Sequence, residues 1–261
     1  MNARVLLVNN ASAEPFRLVV PPFAAQIIEE PPAIAWRQAA AGRVDLALLP
    51  VIKIASTAAT MEPIGEFGVA CTGPVGSVLL LSSRSLEDLA RCHCKIYMTP
   101  DSETSRRLLQ LLAKLEFGIS FSSTPTAARA DAQLLIGDTA LRARQDRQRW
   151  PFRTDLCQWW HLRTQLPFVF ARWMIRRSSS ETLRSAAHQW LSDCVSSAKT
   201  LDGRARMVKR TIRDGLFGNE SEASAYYAAL TSDPGLPERE GEQLFLRLSA
   251  ANGNCAEQSG T

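Results

Sequence analysis

Three short segments carry the groups best suited to chemistry on an anion. In Ser102-Glu103-Thr104-Ser105 the hydroxyls stand at the start of a strongly periodic stretch reaching Leu115. Free backbone N–H groups, the positive end of a helix dipole and the O–H donors of Thr104 and Ser105 would converge there on a negative group. Ordinary capping uses the same residues, with Asp101 or Ser102 as N-cap and the two hydroxyls solvated. In Gly73-Pro74-Val75-Gly76-Ser77 a turn runs straight into the apolar Val78-Leu79-Leu80-Leu81. Glycine permits close backbone approach to a ligand and Ser77 offers a donor, or the serine caps a tight turn. In Leu135-Ile136-Gly137-Asp138-Thr139-Ala140 a strand end leads into a helix, where ligands of open α/β sheets collect. Asp138 reads either as a proton-transfer group or as N-cap of a helix beginning near Ala140, and Gly137 marks a point that a side chain would obstruct.

These are donors rather than nucleophiles. No Ser/His/Asp order, paired-carboxylate signature, P-loop or dinucleotide fingerprint is present. His161 and His188 fall on expected helices without a suitable partner nearby in sequence, and His93 is equally unsupported. Cys92-His93-Cys94 lacks the second Cys/His pair of a structural zinc site and reads as a polar turn before a strand, so no metal is expected. The six cysteines, at 71, 92, 94, 157, 194 and 255, are not spaced as a disulfide framework and are expected to be free thiols.

The elements that must position these groups alternate. Short apolar runs at Val5 to Val8, Leu46 to Leu49, Gly68 to Ala70, Ser77 to Leu81, Lys95 to Met98, Ala132 to Ile136 and Phe168 to Ile175 read as buried strands. Helical periodicity marks Ile34 to Ala41, Leu86 to Ala90, Ser102 to Leu115, Ala140 to Arg147, Glu181 to Ala198, Gly203 to Gly215, Glu220 to Leu230 and Pro237 to Leu248. Alternation of this kind predicts an α/β fold with a mixed, largely parallel sheet. The block from Ser82 to Leu166 has its own strand-helix set between two long apolar strands, as an inserted second lobe would. The tail, residues 252–261, is polar and is expected to fray.

Taken with Leu166-Pro167-Phe168-Val169-Phe170-Ala171-Arg172-Trp173, the three segments keep the order and approximate spacing of motifs in a known family. The chain resembles the chorismate dehydratases of the futalosine route to menaquinone, and the matches run from about Val5 to Phe245. The resemblance implies a two-lobed type II periplasmic-binding-protein-like fold with a central cleft. Its expected bounds are 1–81 with 168–261 for one lobe and 82–167 for the other. It further implies conversion of chorismate to 3-[(1-carboxyvinyl)oxy]benzoate and water, with no cofactor. Ser77, Thr104, Ser105, Gly137 and Asp138 would bind substrate, while Phe168, Phe170, Trp159 and Trp160 would pack. Loss of the C3 proton would push charge onto the ring carboxylate, which is vinylogous to C3, so donors aimed there would stabilise the transition state. The substrate's own enolpyruvyl carboxylate would take the proton while the protein orients the ring.

Near the N-terminus the family usually shows Tyr-x-Asn-x-x-Pro with the Asn beside the substrate. Here the stretch is Asn10-Ala11-Ser12-Ala13-Glu14-Pro15, so Ser12 takes the Asn position and is the expected catalytic residue. Serine donates one hydrogen bond where an amide donates two, and Asn9 or Asn10 offers a side-chain amide beside it. Cys157 and Gln165 also stand where the family commonly has glycine.

Composition bounds the alternatives. The chain has 261 residues, with 46% hydrophobic and 21% charged, which is enough to bury a large core. No run approaches the roughly 20 apolar residues of a membrane span, and the N-terminus lacks a secretory apolar region, so a cytoplasmic protein is expected. A net charge of +4 with scattered arginines does not form a nucleic-acid stripe, though it would favour a small dianion. The rival reading is a non-catalytic cytoplasmic paralogue of the same fold that binds a small anion.

Overall fold

The computed structural model describes residues 2–92, 94–99 and 103–253. The outgoing leg of the chain comprises β1 (Ala3–Val8), a 3-10 turn (Ala11–Arg17), β2 (Ala25–Glu30), α1 (Pro32–Ala40), β3 (Leu46–Pro50), α2 (Ile54–Thr57) and β4 (Met61–Cys71). The middle holds β5 (Val78–Ser82), α3 (Leu86–Arg91), β6 (Lys95–Met98), α4 (Glu103–Phe117), β7 (Ser122–Thr124), β8 (Ala132–Ile136), α5 (Gly137–Ala143), β9 (Phe152–Asp155) and α6 (Leu156–Thr164). The return leg is β10 (Phe168–Arg176), α7 (Glu181–Lys199), α8 (Leu201–Arg213), α9 (Glu220–Ala229), β11 (Leu230–Thr231) and α10 (Leu236–Gly253).

Two compact units result, Met1–Ala70 with Val169–Gly235, and Cys71–Phe168 with Leu236–Thr261. The first contains a six-stranded sheet ordered β11-β4-β10-β3-β1-β2, in which β1 runs parallel to β2 and β3, and β10 antiparallel to β3. Strands β1 and β3 carry few polar residues because both faces are covered. Val5, Leu7, Leu46 and Leu48 pack on one side with Phe16, Trp173 and Trp190, and Leu6, Ala47 and Leu49 on the other with Ala35, Ala39 and Met174. Trp173 meets Phe16 and Trp190 edge to face at 5.4 and 5.6 Å. Helices α7, α8 and α9 start at Ser180, Thr200 and Asn219, each side chain accepting a first-turn backbone N–H.

The second unit holds a five-stranded sheet ordered β7-β6-β8-β5-β9. Strands β6, β7 and β8 are parallel, whereas β5 is antiparallel to both β8 and β9. This divides the chain differently from the expected bounds. Strand β5 pairs with β8 and β9, so 71–81 goes with the middle block, and α10 packs on α4 in the second unit rather than closing the first. The Arg107 guanidinium on α4 donates to the Ser249 carbonyl on α10. Phe245 lies edge-on to Trp160 and Phe168 at 6.2 and 5.0 Å, and Gly241 lies against the Pro167 carbonyl where a Cβ would collide. The chain therefore passes between the units three times, after Ala70, Phe168 and Gly235, not twice. The expected caps Asp101 and Ser102, His93 and residues 254–261 of the tail lie outside the described residues.

Candidate functional site

In the second unit the sheet register brings five expected site residues to one edge. Parallel β6 and β8 are in register at Met98 and Leu134, and Thr99 N–H donates to the Leu134 carbonyl at 3.3 Å, so both strands end on the same side. Antiparallel β5 begins there, with Val78 opposite Ile136. Ser77 just precedes it, and its carbonyl accepts from Gly137 N–H at 2.8 Å. Helix α4 starts five residues beyond Met98 and sets Thr104 and Ser105 in its first turn. Carboxyl ends of parallel strands are where α/β sheets bind ligands.

Ser77, Thr104 and Ser105 are all buried, at 5%, 6% and 4% exposure. Thr104 Oγ1 has no hydrogen-bond partner among the described residues. An orphan buried hydroxyl carries a desolvation cost of about 1–3 kcal/mol, so its retention suits a group that a ligand completes. Gly137 is the first residue of α5 with φ 56, and the backbone itself therefore demands glycine there. Asp138 does not cap the helix: α5 starts at Gly137 with Ile136 as N-cap, which leaves Asp138 in the first turn, where a negative charge favours the dipole.

Asp155 fixes this edge, and sequence reading missed that role. As N-cap of α6, its Oδ1 accepts from Cys157 and Gln158 N–H at 2.9 and 3.2 Å. Its Oδ2 accepts from Val75 and Gly76 N–H at 3.0 and 2.6 Å, holding the turn that presents Ser77. Arg144 Nη1 donates to the Gly76 carbonyl at 3.3 Å, and Gly76 has φ 73 with no room for a Cβ beside that guanidinium. Burial pushes the Asp155 carboxyl above its ordinary range, against the pull of the four N–H donors. The cap half is visible locally, as Asp before Leu-Cys-Gln-Trp-Trp. The bond to a turn 79 and 80 residues earlier has no local signal. Cys157 lies buried beside Cys71, with burial raising its thiol well above the usual value.

Ser12 belongs to the first unit, whereas the other five belong to the second. It sits half-buried in the 3-10 turn after β1, and its hydroxyl donates to Asn10 Oδ1 at 2.6 Å. Arg17 ties the turn down, with Nη2 donating to the Val8 carbonyl at 2.9 Å and Nη1 to that of Asn10 at 3.4 Å. Glu14 at 3.2 Å and Glu29 at 2.9 Å neutralise the guanidinium, and Arg210 adds a second cation 3.4 Å from Glu14. Burial raises the Glu14 carboxyl, and Arg17 and Arg210 offset part of that. His188 packs edge-on to Phe67 at 5.1 Å, and Trp159, Trp160 and Phe168 are buried, as packing residues should be. Among the described residues no cluster of His, Cys, Asp or Glu suits a metal, and no helix is long and apolar enough to cross a membrane.

In sequence, 178 residues are 31% identical to a chorismate dehydratase of Thermus thermophilus, covering 59% of this chain and 62% of that protein. In structure, the chain is similar to protein AF1704 of Archaeoglobus fulgidus, with a TM-score of 0.70, 14% identity and coverage of 97% and 98% of the two chains. The alkanesulfonate-binding protein SsuA of Xanthomonas axonopodis pv. citri, bound to MOPS, gives 0.66 at 15% identity, covering 97% and 91%. A Candida albicans protein described as having the generic periplasmic binding protein fold gives 0.67 at 8% identity, covering 96% and 90%. These likenesses establish an α/β, two-lobed fold of the periplasmic-binding-protein kind. Residues 10–251 match the family described as menaquinone biosynthesis, and the chain belongs to that family.

Proposed function

We propose that this chain is a chorismate dehydratase, a hydro-lyase that converts chorismate to 3-[(1-carboxyvinyl)oxy]benzoate and water in the cytoplasm, on the futalosine route to menaquinone. The observation that carries the reading is the 31% identity with the Thermus chorismate dehydratase, within a family match over residues 10–251. The donor-rich edge of the second unit supports it. A dianionic substrate needs hydrogen-bond donors for its carboxylates, and Ser77, Thr104 and Ser105 supply hydroxyls beside the first turns of α4 and α5. Gly137 and Asp138 complete that binding set, with Gly137 lending backbone.

The reaction breaks the C3–H and C4–O bonds, forms the C3–C4 double bond and releases water. Aromatisation of the ring drives it. The enolpyruvyl carboxylate of the substrate takes the C3 proton, and the protein orients the ring and stabilises the charge that grows on the ring carboxylate. Ser12 is the proposed catalytic residue. The test is direct: purified protein is mixed with chorismate and the benzoate product followed by chromatography and its aromatic absorbance. Chorismate consumed one for one with product is the expected result, and no product overturns the reading.

A further inference from the structure

We propose that the first unit carries a further anion site, at the edge of its sheet opposite the Ser12 turn, and that this site takes a small phosphomonoester with a planar body. The proposal is independent of the dehydratase reading. Strands β1, β2 and β3 run parallel and begin at this edge, while antiparallel β10 ends there at Arg176. From Arg176 the chain turns through Ser178, Ser179 and Ser180 into α7. Between these elements lies a cavity of about 770 Å³, within the range of small-molecule sites.

The sheet builds the walls without help from a ligand. Ala3 N–H donates to the Ala24 carbonyl, Asp45 N–H to that of Arg4 and Arg176 N–H to that of Asp45, each at 2.8 Å. Arg184 holds the turn before α7, with Nε donating to the Ser179 carbonyl at 3.2 Å and Nη2 to that of Arg177 at 2.7 Å. Three arginines and one aspartate line the cavity, which leaves two positive charges. Asp45 is committed to the wall, accepting from Arg4 N–H at 2.8 Å and pairing with Arg176 Nε at 3.3 Å. The guanidinium groups of Arg4 and Arg43 are exposed and meet no partner among the described residues.

Helix α7, 19 residues long, starts at the same wall. Its Ser180 cap accepts from Leu183 N–H at 3.3 Å, and the earlier N–H groups of the first turn, with the positive dipole end, stay open to an anion. Glu181 shares that turn but is not part of the cavity lining. A separate observation points to a ligand. Ser179 lines the cavity, and its Oγ is buried with no hydrogen-bond partner among the described residues, a cost that a bound oxygen would remove. Phosphate suits this set better than carboxylate. A phosphomonoester is close to a dianion at neutral pH and offers three terminal oxygens, which match two positive charges and the donors of two arginine forks and a helix end. Pro22, Phe23 and Leu183 supply an apolar wall for the planar body.

The test is calorimetric titration of the whole chain with naphthyl phosphate, with naphthoate and inorganic phosphate titrated alongside. One equivalent of naphthyl phosphate should bind, more tightly than either control, and its binding should weaken as salt is raised. Arg4→Gln and Arg43→Gln, at exposed positions, should leave the melting temperature of the free protein unchanged and weaken binding about 3- to 10-fold each. Ser179→Ala should also weaken binding, while the free protein stays as stable or becomes more so. Absence of naphthyl phosphate binding overturns the proposal, as does full affinity in the variant that combines Arg4→Gln with Arg43→Gln. Naphthoate bound as tightly as naphthyl phosphate overturns the assignment to phosphate. Binding that survives the arginine changes but is lost in Thr104→Val would put the ligand at the edge of the second unit, and overturns the site.

Discussion

At the scale of single residues, Thr104 and Asp155 separate binding from stability. Thr104 Oγ1 is buried without a partner among the described residues, so its value to the free protein is negative, and the proposed bond to a substrate carboxylate would make it positive. Thr104→Val removes the hydroxyl at nearly constant shape. The melting temperature should stay level or rise, while chorismate affinity measured by calorimetry falls about 10- to 150-fold, the range for one bond to a charged group. Unchanged affinity would remove Thr104 from the binding set. Asp155→Asn acts differently, because the new NH2 group faces the N–H groups of Val75 and Gly76 or abandons the α6 cap. A loss of about 2–3 kcal/mol in urea unfolding is expected, with a raised KM from a loosened Ser77 turn. In the sequence Ser77, Thr104 and Ser105 stand at a strand start and a helix start, where ordinary capping uses the same hydroxyls, and only the strand register and burial bring them to one edge. Asp155 was half legible, because a cap is local and a clamp across 80 residues is not.

At the scale of elements, the apolar strands were legible and the polar edges were not. β1, β3 and β8 are dominated by Val, Ile, Leu and Ala and bury nearly every side chain. β2 reads Ala-Gln-Ile-Ile-Glu-Glu and β9 Phe-Arg-Thr-Asp, both at sheet edges with no fully buried residue, so they lack the pattern that marks a buried strand. The end of α6 shows a departure from family pattern acquiring a physical meaning. Gln165 adopts φ 58 and ψ 16 at the C-cap, with its N–H on the His161 carbonyl at 2.8 Å, a left-handed conformation natural to glycine. Gln165→Gly should therefore stabilise the protein by about 0.5–1 kcal/mol, because relief of the strain outweighs the freedom glycine gives the unfolded chain. A melt showing destabilisation would mean that the side-chain bond from Gln165 Nε2 to Leu162 O, at 3.3 Å, matters more than the backbone.

At the scale of the whole molecule, a two-lobed α/β chain was legible and its partition was not. An amphipathic helix declares that it has an apolar face but not which sheet it covers, so α10, which the expected bounds put with the first unit, packs in the second. Its placement is testable through Phe245, which is 1% exposed and lies edge-on to Trp160 and Phe168. Phe245→Ala should lower stability by about 3–5 kcal/mol, and the loss of near-ultraviolet tryptophan signal should follow Trp160. A change under about 1 kcal/mol would show that α10 contributes little to the second unit.

The three passages between units also govern how the protein is born. Neither unit is a continuous stretch: the first awaits the return leg through Gly235, and the second awaits α10. A nascent chain emerging from its N-terminus cannot finish one unit and then start the other, as domains in tandem do. The aromatic face of Trp160 and Phe168 is made early and stays uncovered while the ribosome adds α7, α8 and α9, until Phe245 arrives. That interval, with apolar surface waiting for its cover, is when the chain is most exposed to aggregation.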